Sequence, residues 1–163
     1  MQTFLPYADF TESARALDPR RLGKQRVEAL QVLRGLTVPG YGWRHHPAVK
    51  MWIGYREALV RYGLAVCAVW TEAGRADTCA ALLVGDLAEA GHRGHVRDGT
   101  ELAEAGELPP WLGDEEFHRS HRSALVGKDP AYYRPLFPDV PAGLPYVWPT
   151  SDRTGLPPGP ALP

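Results

Sequence analysis

Two stretches of this chain concentrate side chains that handle anions and protons. The first runs from Asp18 to Glu28 and reads DPRRLGKQRVE, with Arg21, Lys24 and Arg26 close to one carboxylate, Glu28. The second is HRSHRS, residues 118–123, where Arg119 and Arg122 alternate with His118 and His121. Between them lies Arg44-His45-His46, just ahead of Pro47. Guanidinium and ammonium groups backed by imidazoles make a compact donor set for phosphate oxygens. A carboxylate beside cations stays ionised and is available as a base.

Each constellation also has a plainer reading. Lys24 and Glu28 stand at i, i+4, the spacing of a surface ion pair worth a few tenths of a kcal/mol. Arg26 projects into an apolar arc between Leu22 and Leu30, and a charge there requires a partner. That partner is either a phosphate at the core's edge or an internal acid such as Glu57 or Asp77. His45, His46, His118 and His121 could form a metal site, because i, i+3 places two rings on one side of a helix. No HExxH and no clustered cysteines accompany them, so phosphate contact is the stronger reading and neither metal nor cofactor is expected. His46 also suits the cap of the helix that Pro47 begins.

Charge sharpens the phosphate reading. The net charge is -1, but residues 1–62 carry ten Lys/Arg against five Asp/Glu, and residues 63–117 carry three against eleven. Contact with a polyanion depends on such local potential, not on the total. Tyr41, Trp43, Tyr132, Tyr133 and Trp148 lie in or near loops, where flat side chains can hold an unstacked base. Walker, GxGxxG, GxSxG and zinc-deaminase patterns are absent, which removes the commonest nucleotide-dependent and hydrolase chemistries.

The elements that must position these groups are helical. Asp18-Pro19 is a helix start, with the carboxylate as cap and proline where its missing N–H costs nothing. The spacing predicts a helix to about Leu36, with Leu22, Ala29, Leu30, Leu33 and Leu36 on the core face and Lys24, Glu28 and Gln31 on the opposite one. A long apolar helix follows from Pro47 to about Ala73, the central member of a bundle. Asp77 starts a third, with Ala80, Leu83, Val84 and Leu87 as its stripe. Residues 91–106 read as a glycine-rich acidic loop. Asp114 caps a helix over 115–126, and Asp129-Pro130 begins a short one. From Pro138 the chain is proline-dense and extended, with Tyr146 and Trp148 as anchors and a mobile end over the last ten residues. The expected fold is therefore mainly α: a compact single-domain helical bundle with long loops, residues 1–137, followed by a Pro-rich segment, 138–163. No membrane span fits, no signal peptide begins the chain, and Cys67 and Cys79 read as buried thiols of a reducing, cytoplasmic compartment.

The order of segments resembles a known family. RLGKQRVEAL, then a loop, then HPAVKMWIGYREALVRYGLAVCAVW, then HRSHRSALVGKDPAYY resembles the phage endonuclease V-type pyrimidine-dimer DNA glycosylases and their bacterial relatives over roughly residues 1–137. The local matches are Arg26-Val27 in the first helix, the long second helix, and Lys128 followed by Tyr132-Tyr133. The resemblance implies a compact helical domain that kinks double-stranded DNA, extrudes a base and needs no cofactor. It implies attack by the N-terminal amine on the sugar C1′, helped by a glutamate of the Arg-Val helix, and a Schiff base that can cleave the strand. Bulky Gln2 should hinder removal of Met1, so the nucleophile is the amine of Met1 or does not lie at the terminus at all, with Lys24 as the alternative amine. Glu28 lies one turn beyond the position where the family carries its glutamate, and on a different face.

The expected activity is that of a repair-type DNA glycosylase, with AP lyase chemistry as a possible companion, acting as a monomer. Met1, Glu28, His46 and His121 are the candidate catalytic groups. Arg21, Lys24, Arg26, Arg44, His45, His118, Arg119 and Arg122 are the candidate DNA contacts. The rival readings are a non-catalytic DNA-binding protein of the same fold and a His-based metal-dependent nuclease or hydrolase. All of these functional readings require the chain's beginning, the first basic helix and the His-His segment to meet in one cationic concavity.

Overall fold

The computed structural model of the chain describes residues 1–155. Eight helices and no strand occur among these residues: α1 (Phe10–Ala16), α2 (Pro19–Thr37), α3 (Pro47–Lys50), α4 (Arg56–Glu72), α5 (Cys79–Glu89), α6 (Gly99–Glu104), α7 (Glu115–Lys128) and α8 (Pro130–Tyr133). Aspartates start most of them. Asp9, Asp18, Asp98, Asp114 and Asp129 each accept a first-turn N–H that would otherwise lack a partner. None of these helices is long and apolar enough to cross a membrane.

Helix α4 occupies the middle and packs against α1, α2 and α5. Its Leu59, Val60, Tyr62 and Val66 are fully buried. Gly63 lets three helices close in. A Cβ there would lie 2.6 Å from Leu83 Cδ1 and 3.3 Å from Ala29 Cβ.

Three local features depart from the expectations. The helix expected from Pro47 to Ala73 is broken between α3 and α4. Gly54 sits there at φ 80°, and a Cβ on it would fall 2.4 Å from the Arg153 Cβ. The break turns Met51, Trp52 and Tyr55 into the core, where none is more than 4% exposed. Within the expected loop 91–106 lies α6, held by a reciprocal capping box between Asp98 and Glu101 and anchored by buried Leu102. Helix α1, near the start of the chain, was not foreseen by periodicity.

The most consequential element has no secondary structure. Residues 2–6 are buried, yet their backbone pairs with side chains instead of a strand. Phe4 N–H donates to Gln25 Oε1 (2.8 Å), and the Tyr62 hydroxyl shares its one proton between Gln25 Oε1 (2.7 Å) and Phe4 O (3.0 Å). Leu5 N–H donates to His121 Nδ1 (3.0 Å), His118 Nδ1–H donates to Leu5 O (2.8 Å), and Arg122 donates to Pro6 O (2.8 Å). Buried backbone groups need such partners, so α2, α4 and α7 together fix the segment in one register.

A C-terminal strap ties the bundle from outside. Ser123 Oγ donates to Pro141 O and accepts from Leu144 N–H, and Ser120 Oγ accepts from Val147 N–H. Further on, Tyr55 Oη donates to Asp152, and Arg153 lies 4.2 Å over the Tyr55 ring. The expected mobile end falls mostly outside the described residues.

Candidate active site

Above the buried N-terminal segment opens a cavity of about 440 Å³, within the size range of pockets that hold small ligands. Met1, Gln2 and Phe4 form its floor. Helix α2 supplies Arg20, Arg21, Lys24, Gln25 and Glu28, and the N-cap of α3 supplies His46. Lys128, at the end of α7, and Tyr146 and Trp148, on the strap, complete the wall.

Glu28 is the central carboxylate. It is 6% exposed, so it does not lie on an outer polar face as the helical periodicity suggested. Its Oε2 accepts from Gln25 Nε2 at 2.5 Å, and its Oε1 lies 3.4 Å from Lys24 Nζ. Gln25 is itself held, because Phe4 N–H and Tyr62 Oη (2.7 Å) both donate to its Oε1. Those two donors fix the amide's orientation and turn its NH₂ toward Glu28. The i, i+4 pair is therefore one exposed ammonium reaching a buried carboxylate, part of a chain running Tyr62–Gln25–Glu28.

His46 caps α3: its Nδ1 accepts from Ala48 N–H at 3.1 Å. A nitrogen that accepts is unprotonated, so the neutral ring carries its proton on Nε2. Burial lowers the His46 pKa, the charge of the N-terminal ammonium lowers it further, and Glu28 opposes them. These influences place His46 within electrostatic reach of both the terminus and Glu28. Trp43 and Trp148 meet the imidazole edge-on at 5.8 and 6.0 Å.

The cations of the wall differ in how they are engaged. Arg21 pairs with Asp18 at 2.6 Å and lies 5.7 Å over the Tyr133 ring. Burial pushes Asp18 up, but hydrogen bonds from Tyr133 and Arg21 outweigh it and leave the carboxyl below its ordinary value. Arg20 and Lys128 are exposed and have no ion-pair partner among the described residues.

Four candidate residues are engaged inside the protein, which corrects their assignment. His121 is fully buried and holds Leu5; burial, then the neighbouring His118, lowers its pKa to about 3. His118 is 3% exposed, donates to Leu5 O and accepts from Gly113 N–H at 2.9 Å. Neither imidazole can reach a substrate from these positions. Arg122 is spent on Pro6 O and Glu115. Arg26 pairs with Asp77 and stacks 4.2 Å over Trp70, so the internal-acid reading holds for it. His45 and Arg119 are exposed away from the cavity wall, and Arg44, half-buried, does not line it. Among the described residues no three His, Cys, Asp or Glu side chains stand together to hold a metal ion.

Sequence reasoning passed over Gln2 and Gln25, whose amides carry no motif. It named Tyr146 and Trp148 as anchors without assigning them to the cavity. Arg20 was visible only as a member of a basic stretch, and Lys128 only as one of the residues that carry the family resemblance.

A family model described as pyrimidine dimer DNA glycosylase matches residues 1–83. That stretch holds the floor of the cavity, all of α2 and His46, and ends short of residue 137, to which the resemblance had been read. No curated protein and no solved structure matches the chain.

Proposed function

The chain belongs to the pyrimidine dimer DNA glycosylase family, and from that membership we propose that its cavity performs base excision through the amine of Met1. DNA is the substrate of this repair-glycosylase family; a double-stranded site and a monomeric enzyme are part of the proposal. The neutral amine attacks C1′ of the damaged nucleotide. The C1′–N glycosidic bond breaks and the base leaves with one of the amine's protons; the sugar ring then opens at C1′–O4′, O4′ takes the other proton, and an imine forms between C1′ and the Met1 nitrogen. Loss of a 2′ proton and expulsion of the 3′ phosphate then cleave the strand, which is the AP lyase step. Glu28, paired with Lys24, stabilises the cationic sugar and accepts protons. His46 offers Nε2–H as a donor. Arg20, Arg21, Lys24 and Lys128 hold the flanking phosphates.

The observation that carries this reading is the meeting of Met1, Glu28 and His46 in one cation-rimmed concavity. Extended residues ahead of α1 would ordinarily be loose, and here they are clamped into the core, which places the amine in one position. Borohydride trapping on a duplex bearing a pyrimidine dimer tests the chemistry. The expected product is a covalent adduct whose peptide mass maps to Met1, and one glycine added ahead of Met1 abolishes it. Base release without an adduct would exclude the amine as nucleophile. Neither release nor adduct would exclude the enzyme reading and leave a DNA-binding protein.

A further inference from the structure

Resting on that glycosylase reading, we propose that Gln2 is the specificity-determining donor of the cavity, giving a hydrogen bond to the C4 carbonyl of a pyrimidine held there. Gln2 is 5% exposed and lines the cavity floor. Its amide has a defined orientation, because Oε1 accepts Thr3 N–H at 2.9 Å. The NH₂ end is therefore the one left over, and Nε2 is buried with no hydrogen-bond partner. The Tyr146 hydroxyl comes close enough for that NH₂ to favour its ionised form, against the larger upward push of burial on the phenol, but it does not complete a hydrogen bond.

A buried donor without an acceptor is costly and rare in folded proteins. Gln25, Tyr62, Thr3 and Trp52 Nε1 are satisfied around the same segment, and His121 Nε2, buried without a partner as well, does not line the cavity. The unmet valence points to what the cavity receives. A fixed NH₂ group pairs with a carbonyl oxygen and rejects an amino group, which would set donor against donor. Among pyrimidines the exocyclic group that differs is at C4, a carbonyl in thymine and an amine in cytosine. Nε2 is shut off from bulk water, so a base reaches it by parting the side chains around it. Tyr146 is one of these, and it lies on the strap, which is outside the bundle.

The test uses the full chain and three duplex probes: a thymine dimer, the same dimer made from 5-methylcytosine, and an aldehydic abasic site with no base to read. The wild-type protein is expected to cleave the glycosidic bond of the thymine dimer roughly tenfold or more faster than that of the methylcytosine dimer. Gln2→Glu keeps an acceptor for Thr3 N–H but replaces the NH₂ with oxygen, so it is expected to erase or invert that ratio. Equal ratios in the two proteins, or equal wild-type rates on the two dimers, overturn the proposal, and the wild-type comparison stands even if the variant does not fold. Absence of abasic trapping by the wild-type protein counts instead against the amine chemistry.

Discussion

Helices α2 and α7 carry nearly the same kinds of residue, arginines interleaved with polar groups, and they end in opposite situations. From α2, Arg20, Arg21, Lys24 and Glu28 face the cavity. From α7, His118, His121 and Arg122 face inward and hold the backbone of residues 5 and 6. The difference lies in what each helix has beside it. An extended segment with unpaired N–H and C=O groups runs against α7 and takes up its donors and acceptors. The outer turn of α2 meets no such segment and remains available to an outside anion. Composition shows that a stretch can bind something; whether that is the protein's own backbone or a ligand depends on which polar groups fold against it.

The sharpest way to break this contrast is Glu28→Gln. It keeps the contact to Gln25 and removes the charge, so base release is expected to fall by roughly 10²–10⁴-fold, with duplex affinity at low salt changed only a few-fold. Unchanged turnover would remove Glu28 from the chemistry. His121→Ala acts on the opposite side. It empties buried volume and strands Leu5 N–H, so urea unfolding should show a loss of about 2–4 kcal/mol. Arg119→Ala, two residues away on the exposed side of the same helix, should stay within about 0.5 kcal/mol of wild type. Equal effects at the two positions would mean that α7 is not the clamp described.

Acid offers a gentler probe of the same clamp. The folded pKa of His121 lies near 3 and the unfolded value is the ordinary 6.5, so the unfolded chain binds the extra proton. The stabilising contribution is complete above pH 6.5 and is lost as pH falls toward 3, with a slope of roughly 1 kcal/mol per pH unit. His118 is lowered for the same leading reason, burial, and adds in the same direction. His121→Gln should flatten the unfolding free energy over that window, and an unaltered pH profile would show that His121 does not titrate with folding. The smallest effect belongs to the rim. Lys128→Ala should reduce the slope of log affinity against log salt by about 1, whereas Arg119→Ala should leave the slope unchanged. Equal slopes for wild type and Lys128→Ala would take Lys128 off the phosphate path.

Local signals made α2 legible from the residues alone. Asp18-Pro19 marks its start, and Leu22, Ala29, Leu33 and Leu36 repeat at its period. The convergence of Met1, α2 and His46 was readable as a spatial requirement, since no other arrangement gives those groups a common task. The burial of Gln25 and Glu28 was not, because periodicity assigns polar residues to water and cannot register a polar segment folding over them. The break at Gly54 escaped for a related reason: the side chain that occupies the space above it, Arg153, comes from about 100 positions later. The capping box at Asp98 and Glu101 was legible in principle and was hidden by its glycine-rich surroundings.

The moored first residues carry a consequence for the order in which the molecule is made. Leu5 is made well before the imidazole it requires, which follows 116 positions later. Contacts that distant form only after the intervening loop has been closed. Until α7 has been synthesised and has docked, residues 5 and 6 lack the groups that hold their backbone. An unfinished chain therefore lacks the ordered floor of the cavity, which is assembled only after α7 has emerged.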